Sequence, residues 1–363
     1  CHIFERSASY YNLFMGFEIY FAESIEQLGD NIREVKPHYL AVVPRLLEKI
    51  FDKIVDKGSA LTGLKKQLFF WALSLGEEYE PYDKKSFFYH FKLNIARKLI
   101  FLKWQEALGG NLQFMVSGSA PLQHRLIKVF TAAGISIFEG YGMTESSPGG
   151  TLNDLRNNGL KIGSVGKALD GITIKIADDG EILMKGDNIM IGYYKNEEMT
   201  KKTIINGYLH TGDIGEIDED GFLTITDRKK EIFKTSGGKY IAPSALESEL
   251  KQSRFIEQVM VIGEGEKMPA ALIQLNFDFI EEWAERHQYK ITDVTTDERL
   301  IQRIQKEIDF HNQKFGKWEQ IKKFEITADE WSIETGHLTP TMKMKRKIIK
   351  EIYKDLHQKI YNL

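Results

Sequence analysis

Long apolar runs, paired cysteines and an excess of one charge are all missing from this sequence of 363 residues. Its one cysteine, Cys1, rules out an intrachain disulfide bond and fits a reducing, cytoplasmic setting. The formal net charge of −3 argues against nucleic acid as the main partner. Because no run of about 18 apolar residues is present, we predict no segment that crosses a membrane.

The composition is that of an ordinary globular protein, with 42% hydrophobic and 28% charged residues. A chain of this length favours two domains or more. The opening stretch, CHIFERSASYYNLFMGFEIYF, has no signal-peptide charge pattern and is typical of the middle of a domain. We therefore expect the sequence to be the C-terminal portion of a longer protein.

Apolar periodicity predicts alternating strands and helices in the first part of the chain. Buried strands are indicated at 38–44, 112–118 and 135–142. Helical spacing is found at 45–57, 61–76, 88–108 and 123–134. This β-α-β order predicts a parallel sheet with helices on its faces, and ligands bind such sheets beyond the carboxyl ends of the strands.

Near residue 163 the pattern changes to alternating residues with Asp-Gly turns, which predict antiparallel β structure. Later elements are predicted as a helix at 244–252, strands near 256–263 and 269–276, helices near 277–287 and 297–314, a strand near 321–326 and a basic helix at 347–361. We place the domain boundary at 227–230.

The stretch EGYGMTESSPGG, which begins at residue 139, puts a hydroxyl and a carboxylate on a loop of small residues. Gly140 and Gly142 let a flat ligand approach the backbone, and Tyr141 offers a stacking face. Thr144 can donate a hydrogen bond to a phosphate oxygen, and Glu145 can hold Mg²⁺. A nucleotide site and a plain turn with a capping threonine are about equally favoured by these residues alone.

Other stretches carry weaker signals, each with an ordinary structural alternative. VSGSAPL (116–122) is common loop chemistry. Asp213 has the chemistry to hold both hydroxyls of a ribose, but an aspartate in a turn is the better interpretation of that residue alone. Arg228 has the chemistry to bind phosphate or ribose oxygens, or it belongs to a solvated charged hairpin. Lys343 has the charge to neutralise a carboxylate that meets a phosphate, or it is part of a basic surface tail. The Walker pattern of phosphate-binding loops is absent.

Taken in order, these motifs resemble the core motifs of the adenylate-forming superfamily, which includes acyl-CoA synthetases, luciferases and peptide-synthetase adenylation domains. The similar stretches are HIFER (2–6), SGSAPL (117–122), YGMTE (141–145), HTGD (210–213), DRKKEIFKTSGGKYIAP (227–243) and TPTMK (339–343). HIFER, SSPGGTLN, KTSGGKYIAP and LTPTMKMKRK are most similar to long-chain fatty acid–CoA ligases. In that family a phosphate-binding loop precedes HIFER. We therefore expect this loop in the part of the protein that precedes residue 1.

The resemblance implies an α/β fold with two domains. Residues 1–229 would form an incomplete large AMP-binding domain with a parallel sheet. That domain would include a helical insertion at about 45–109 and a β-rich subdomain at about 160–229. Residues 230–363 would form a small, mobile α+β domain.

The resemblance also implies a role for individual residues. The nucleotide site would comprise Ser119, Ala120, Pro121, Glu139, Gly140, Tyr141, Gly142, Thr144, Asp213 and Arg228. Tyr141 would stack on adenine, and Asp213 would hold the ribose. Thr144 would meet the phosphate and Glu145 would bind Mg²⁺. Lys343 would act in adenylation, although Met342 stands where many members have glycine.

The remaining implied roles concern domain rotation and the second substrate. Lys230 matches the hinge of the C-terminal domain, while Gly237 and Gly238 would line the CoA tunnel. His2 matches a gating residue near the catalytic centre.

The implied reaction uses ATP, Mg²⁺ and CoA. A fatty carboxylate attacks the α-phosphate of ATP to give acyl-AMP and pyrophosphate, and the thiol of CoA then attacks acyl-AMP. We expect this portion of the protein to be inactive by itself. The alternatives are an adenylate-forming ligase for another carboxylic acid and a binding protein that has kept the fold without catalysis.

Residues 45–104 also combine basic and aromatic residues, with twelve Lys or Arg against seven Asp or Glu between Arg45 and Lys103. The interleaved aromatics are Phe69, Phe70, Trp71, Phe87, Phe88, Tyr89, Phe91, Phe101 and Trp104. This pattern predicts weak peripheral contact with an anionic membrane. The alternative, favoured for most of these aromatics, is the core of a helical subdomain or the contact of a homodimer.

Overall fold

The computed structural model describes residues 2–24, 27–82, 85–339 and 342–362. Contacts between residues divide the chain into two compact units. The first unit comprises Cys1–Thr211 and Gly215–Ile225, and the second comprises Gly212–Ile214 and Thr226–Leu363. The second unit thus begins close to the boundary that we placed at 227–230.

A mixed sheet forms the base of the first unit. Its strands, in spatial order, are β1 (Tyr39–Val42), β2 (Phe114–Ser117), β3 (Ser136–Tyr141), β4 (Thr151–Leu152) and β5 (Lys167–Ala168). β1 pairs with β2 and β2 with β3 in parallel, and the later pairs are antiparallel. The predicted parallel sheet is confirmed. SGSAPL and YGMTE follow neighbouring strands, so both lie at its carboxyl edge.

Helices connect and cover these strands. They are α1 (Ile3–Met15), α2 (Leu28–Val35), α3 (Pro44–Ser59), α4 (Gly63–Glu77), α5 (Phe87–Ala96), α6 (Leu102–Ala107) and α7 (His124–Ala132). A π-helical turn at Arg97–Phe101 joins α5 to α6. In the described part of the chain, we find no helix with both the length and the apolar character needed to cross a bilayer.

Aromatic packing holds the helices between β1 and β2 against α7. The ring of Trp104 lies edge-on to Phe51, Phe101 and Phe130, with centroids 6.5, 5.1 and 6.1 Å away. Fully buried aromatic side chains of this size each contribute on the order of 2–3 kcal/mol to folding. The core of the first unit therefore extends into the helical stretch and fixes α7 behind the sheet.

The C-terminus of α7 is capped by side chains from the α5–α6 segment. Arg97 Nε donates to the carbonyl of Ala132 at 2.8 Å, and Gln105 Nε2 donates to that of Ala133 at 2.6 Å. Donors at this position satisfy the unpaired carbonyls at the end of a helix and complement its negative end. The capped helix leads directly into β3 and so sets where YGMTE begins.

The β-rich part of the first unit follows. Its elements are β6 (Thr173–Ile176), β7 (Glu181–Lys185), α8 (Glu197–Thr203), β8 (Ile204–Ile205), β9 (Tyr208–Ile217) and β10 (Leu223–Arg228). The part of β9 at Gly212–Ile214 and the end of β10 from Thr226 are counted with the second unit. The sheet order is β10-β9-β7-β6, and β8 pairs with β9. β6 and β7 are antiparallel, as the alternating pattern after residue 163 predicts.

The second unit has α+β architecture, as predicted. Its elements are β11 (Phe233–Lys234), β12 (Tyr240–Ile241), α9 (Pro243–Leu250), β13 (Ile256–Ile262), β14 (Ala270–Leu275), α10 (Phe277–Arg286), α11 (Glu298–Asn312), β15 (Lys323–Thr327), α12 (Arg346–Ile352) and α13 (Lys354–Tyr361). β14 lies between antiparallel β13 and parallel β15. β11 and β12 form a hairpin.

The prediction of one helix across 347–361 was wrong. α12 ends at Ile352 and α13 starts at Lys354, because Tyr353 leaves helical geometry with φ −103° and ψ 32°. The Tyr353 side chain is buried, and its hydroxyl bonds to Trp331 and Asp329. These partners come from a different part of the chain, so periodicity within the helix does not reveal the break.

Candidate functional site

The YGMTE loop is a tight turn at the end of β3. Thr144–Ser146 forms a 3-10 turn in which Ser146 is fully buried. The Met143 amide donates to Ser146 Oγ at 3.0 Å, and this hydroxyl donates back to the Met143 carbonyl at 3.1 Å. The reciprocal pair holds the turn, while Thr144 remains exposed.

The chain's own packing requires glycine at one position of this loop and favours it at the other. A Cβ on Gly142 would lie 1.4 Å from the carbonyl oxygen of Pro148, so no side chain fits there. A Cβ on Gly140 would lie 3.1 Å from both Leu152 and Thr151. These contacts explain both glycines without a ligand, so the glycines alone do not decide between a plain turn and a nucleotide site.

Glu139 ties the SGSAPL segment to β3. The side chain is buried, and its Oε1 accepts a hydrogen bond from the Leu122 amide at 3.2 Å. Burial raises the pKa of Glu139 to about 8, against the opposing effect of the Leu122 bond. The Leu122 bond holds the two predicted nucleotide-binding segments together.

The SGSAPL segment contains an unsatisfied polar atom. Ser119 has φ 80°, in the left-handed region, and its buried hydroxyl has no hydrogen-bond partner among the described residues. Ala120 and Pro121, which follow it, are exposed. A buried hydroxyl without a partner calls for an explanation, and a bound ligand is one that fits a segment beside the YGMTE loop.

Glu145 lies partly buried beside a residue that sequence reasoning missed. Its Oε1 accepts a hydrogen bond from the Tyr193 hydroxyl at 2.8 Å, and its backbone carbonyl accepts from the Met190 amide at 2.8 Å. Tyr193 belongs to the stretch GEILMKGDNIMIGYY (180–194), and nothing in that stretch marks which residue meets Glu145.

A single carboxylate can serve as one ligand of Mg²⁺, but it cannot hold the ion without further ligands. Across the described ranges, no group of at least three His, Cys, Asp or Glu side chains is arranged to hold a metal ion. Magnesium is usually bound through one or two carboxylates together with phosphate oxygens and water. Glu145 therefore fits an ion that arrives with ATP.

Within the second unit, the structure brings Asp213 and Arg228 together. Arg228 Nε donates to Asp213 Oδ1 at 3.0 Å. The Asp213 side chain is buried, whereas that of Arg228 is 44% exposed. Asp213 therefore accepts a charge-assisted hydrogen bond from an arginine, which holds its carboxylate in place. This differs from the isolated turn aspartate that was the better interpretation of the sequence alone.

Lys343 lies on a short loop that folds back on itself. The Thr339 amide donates to the Lys343 carbonyl at 2.8 Å, and the Lys343 amide donates to Thr339 Oγ1 at 3.1 Å. Leu338 and Met344 form a β-bridge at the base of this loop. The predicted residues Pro340 and Thr341 of TPTMK lie outside the described residues.

Two of the three residues whose charges act on Lys343 were singled out by the sequence. Although Lys343 is exposed, displacement of water by the surrounding protein lowers its pKa, and the Arg228 charge lowers it further. Asp213 and Glu231 act in the opposite direction. The second unit thus has a charged cluster of Asp213, Arg228 and Lys343. Asp213 and Lys343 are more than 100 residues apart in the sequence.

Met342 occupies the left-handed region, with φ 61°. Glycine is the residue that adopts this conformation without steric cost. The backbone at this position therefore suits the glycine that the resemblance leads one to expect there. In this chain Met342 tolerates the conformation while packing against buried side chains of the second unit.

The other predicted site residues are exposed. Lys230 follows β10, while Gly237 and Gly238 lie in the β11–β12 hairpin, where Gly238 has φ 74°. His2 is the N-cap of α1, and its Nδ1 accepts a hydrogen bond from the Phe4 amide at 3.3 Å.

Arg346 is a second residue that sequence reasoning missed. It donates to both carboxylate oxygens of buried Glu247 at 2.8 and 2.6 Å, and its Nε donates to Glu231 at 3.1 Å. Glu247 also accepts from the Val261 amide at 2.7 Å. The basic run KMKRK suggests only a surface tail, so the sequence gives no signal of this buried pair.

Comparison with known proteins supports the family resemblance over both units. Residues 1–194 match the family described as AMP-binding enzyme, and residues 230–363 match the AMP-binding enzyme C-terminal domain. The long-chain-fatty-acid–CoA ligase FadD15 of Mycobacterium bovis is 36% identical over 99% of this chain and 61% of its own length. Human long-chain-fatty-acid–CoA ligase 1 is 32% identical over 99% of this chain and 53% of its own length.

Solved structures share the fold at lower sequence identity. The adenylation domain of a carboxylate reductase from Mycobacterium chelonae matches with a TM-score of 0.68 at 19% identity, over 94% of this chain and 49% of that one. o-Succinylbenzoate CoA synthetase of Bacillus subtilis, in complex with its acyl-adenylate, matches with a TM-score of 0.65 at 21% identity, over 96% of this chain and 58% of that one. The chain spans about half to three fifths of the length of the curated relatives it matches.

Proposed function

This chain belongs to the family of AMP-binding enzymes, and on that premise we propose that its protein activates a long-chain fatty acid with ATP and transfers the acyl group to CoA. Relatives named as long-chain fatty acid–CoA ligases match along 99% of the chain. The observation that carries the proposal is the cluster of Asp213, Arg228 and Lys343.

The residues of the first unit would bind the nucleotide. Tyr141 stacks on adenine, and the unsatisfied hydroxyl of Ser119 bonds to the ligand beside it. Exposed Thr144 donates to a phosphate oxygen. Mg²⁺, when bound, stabilises negative charge on the phosphates, and Glu145 is the residue that would hold it.

The residues of the second unit would bind the ribose and act on the reacting centre. Asp213, positioned by Arg228, accepts hydrogen bonds from the ribose hydroxyls. Lys343 offsets the negative charge that builds as the carboxylate attacks the α-phosphate. No protein nucleophile is needed, because the fatty carboxylate and the thiol of CoA are the attacking groups. The exposed residues Gly237 and Gly238 would line the path of CoA, and Lys230 would be the hinge.

The substrate class is tested by pyrophosphate release from ATP with a panel of carboxylic acids. We expect long-chain fatty acids to give at least tenfold higher kcat/KM than aryl or medium-chain acids. A preference for an aryl or medium-chain acid would replace the proposal by the alternative ligase. Tight ATP binding without pyrophosphate release from any acid would favour the non-catalytic binding protein.

A membrane is a further partner that the exposed side chains support. Of the nine aromatics singled out in 45–104, Phe69, Tyr89, Phe101 and Trp104 belong to the core, and Trp71 packs against it. The α5 face, which we define as Phe87, Phe88, Phe91 and Lys92, is exposed, with its phenylalanines 80%, 72% and 56% accessible. Aromatic rings suit the bilayer interface, and lysines are attracted to anionic lipid. We propose that this face rests on the membrane from which the fatty acid is taken.

Vesicle co-sedimentation tests the α5 face. The full-length protein should bind anionic vesicles at low salt and dissociate as salt rises, because each basic residue contributes about 1 kcal/mol near an anionic surface. Lys85→Glu with Lys92→Glu should reduce binding at least tenfold. Lys84 was part of the predicted basic group but lies outside the described residues.

The matched control is Lys201→Glu with Lys202→Glu, which makes the same charge change on exposed α8. We expect this control to bind nearly as the wild type does. Equal losses in both double variants would show a response to net charge alone. Absent binding at low salt, with a dimer in sedimentation equilibrium, would instead favour the homodimer contact.

A further inference from the structure

Three rings in the second unit form a buried stack beside the Lys343 loop. Each of the rings of Trp331, His337 and Tyr353 contacts the other two, with centroids 5.7 to 6.0 Å apart and interplanar angles of 6° to 28°. All three side chains are less than a tenth exposed. Trp331 follows β15, His337 precedes the loop, and Tyr353 occupies the break between α12 and α13.

Hydrogen bonds fix the rings relative to one another. Trp331 Nε1 donates to the Tyr353 hydroxyl at 3.0 Å, and that hydroxyl lies 3.2 Å from His337 Nε2 and donates to Asp329 at 3.1 Å. His337 Nδ1 lies 2.8 Å from Thr335 Oγ1. Both ring nitrogens of His337 therefore have partners, so the imidazole is held in one orientation.

The backbone of His337 continues directly into the Lys343 loop. Its carbonyl accepts a hydrogen bond from the Lys345 amide at 2.8 Å, so the chain is paired on both sides of the loop. The Leu338–Met344 bridge and the bonds between Thr339 and Lys343 continue this pairing toward the loop tip. Fixing the His337 ring therefore fixes the base from which the Lys343 side chain extends.

We propose that Trp331, His337 and Tyr353 form a positioning cluster that holds Lys343 for the adenylation step. The inference rests on the proposed role of Lys343. It explains why α12 and α13 are interrupted, since the break places the Tyr353 hydroxyl against His337 and Trp331. The cluster touches no reacting atom, and it acts by limiting where the ammonium group is found.

Tyr353→Phe is the direct test, because it keeps the ring stack and removes the hydroxyl. Misplacement of a catalytic group by about 1 Å costs up to about a hundredfold in rate. We expect kcat for acyl-AMP formation to fall about tenfold, with KM for ATP within twofold of the wild type. CoA transfer from supplied acyl-AMP should also stay within twofold, since Lys343 is not used in that step. His337→Phe keeps a ring and loses both polar contacts. It should likewise lower kcat for acyl-AMP formation and leave CoA transfer within twofold.

Tyr361→Phe is the matched control. Tyr361 lies in α13, and its hydroxyl donates to the Met268 carbonyl at 3.0 Å rather than to a member of the ring cluster. This variant loses a comparable hydrogen bond, so it should lower the unfolding temperature similarly and leave both half-reactions within twofold of the wild type.

The possible outcomes distinguish a failure of the positioning cluster from a failure of the proposed function. Equal effects of Tyr353→Phe and Tyr361→Phe, or equal loss of both half-reactions in Tyr353→Phe and His337→Phe, would overturn the positioning cluster alone. A wild-type protein that forms no acyl-AMP would overturn the proposed function itself.

Discussion

Lys343→Ala should lower the rate of acyl-AMP formation at least about a hundredfold while leaving CoA transfer from supplied acyl-AMP within about twofold. Losing one preorganised group that stabilises transition-state charge typically costs about a hundredfold to a thousandfold in kcat. Lys343 has that character because its side chain extends from a loop closed by hydrogen bonds to Thr339. The measurement is separate kinetics of the two half-reactions with the full-length protein.

Lys347→Ala is the control for this prediction. It removes the same charge from the same basic run at an exposed position. Both half-reactions should remain within about twofold of the wild type in this variant. If Lys343→Ala slows the two half-reactions equally, or if Lys347→Ala has the same effect as Lys343→Ala, the assignment of Lys343 to adenylation is wrong.

Arg346→Ala should destabilise the protein by about 3–5 kcal/mol, the usual cost of removing one partner of a buried ion pair. Glu247 is buried, and desolvation raises its pKa even though Arg346 opposes the shift. Without the guanidinium, Glu247 must either keep an uncompensated buried charge or bind a proton. Urea unfolding followed by tryptophan fluorescence measures the loss.

The pH dependence of this loss follows from the same pair. Removing Arg346 takes away the interaction that lowers the pKa of Glu247, so its folded-state pKa should rise further. A raised folded-state pKa makes the folded protein bind the proton more tightly than the unfolded chain does. The destabilisation by Arg346→Ala should therefore be smaller at pH 5 than at pH 8.

Two further variants separate the buried pair from general loss of charge. Lys359→Ala removes the partner of Glu325 in a surface ion pair, and it should cost less than about 1 kcal/mol. Adding Glu247→Gln to Arg346→Ala should recover much of the lost stability, because the amide oxygen can still accept from the Val261 amide. A loss for Arg346→Ala no larger than that for Lys359→Ala would contradict the account.

The sequence predicts those parts of the fold and site that depend on residues close together in the chain. Strands β2 and β3 with α7 between them follow from periodicity alone, and the YGMTE loop follows from their order. Lys343 is recognisable because TPTMK is a contiguous motif. In each case, local propensity and pattern agree with the final structure.

The missed features depend on contacts between distant residues. Arg346 and Glu247 are 99 positions apart, and the lysines around Arg346 give the stretch the pattern of a solvated tail. Tyr353 breaks a helix whose periodicity is uninterrupted, because its hydroxyl has partners at Asp329 and Trp331. The left-handed φ of Met342 is likewise imposed by the loop, against the residue's own preference.

Detection of acyl-AMP tests the central claim most directly. The full-length protein is incubated with ATP, Mg²⁺ and a long-chain fatty acid in the absence of CoA, and the products are identified by mass spectrometry. We predict about one acyl-AMP per protein, with pyrophosphate in equal amount, and its complete conversion to acyl-CoA and AMP when CoA is added. Formation of ADP with an acyl phosphate, or acyl-AMP that CoA does not consume, would contradict the account.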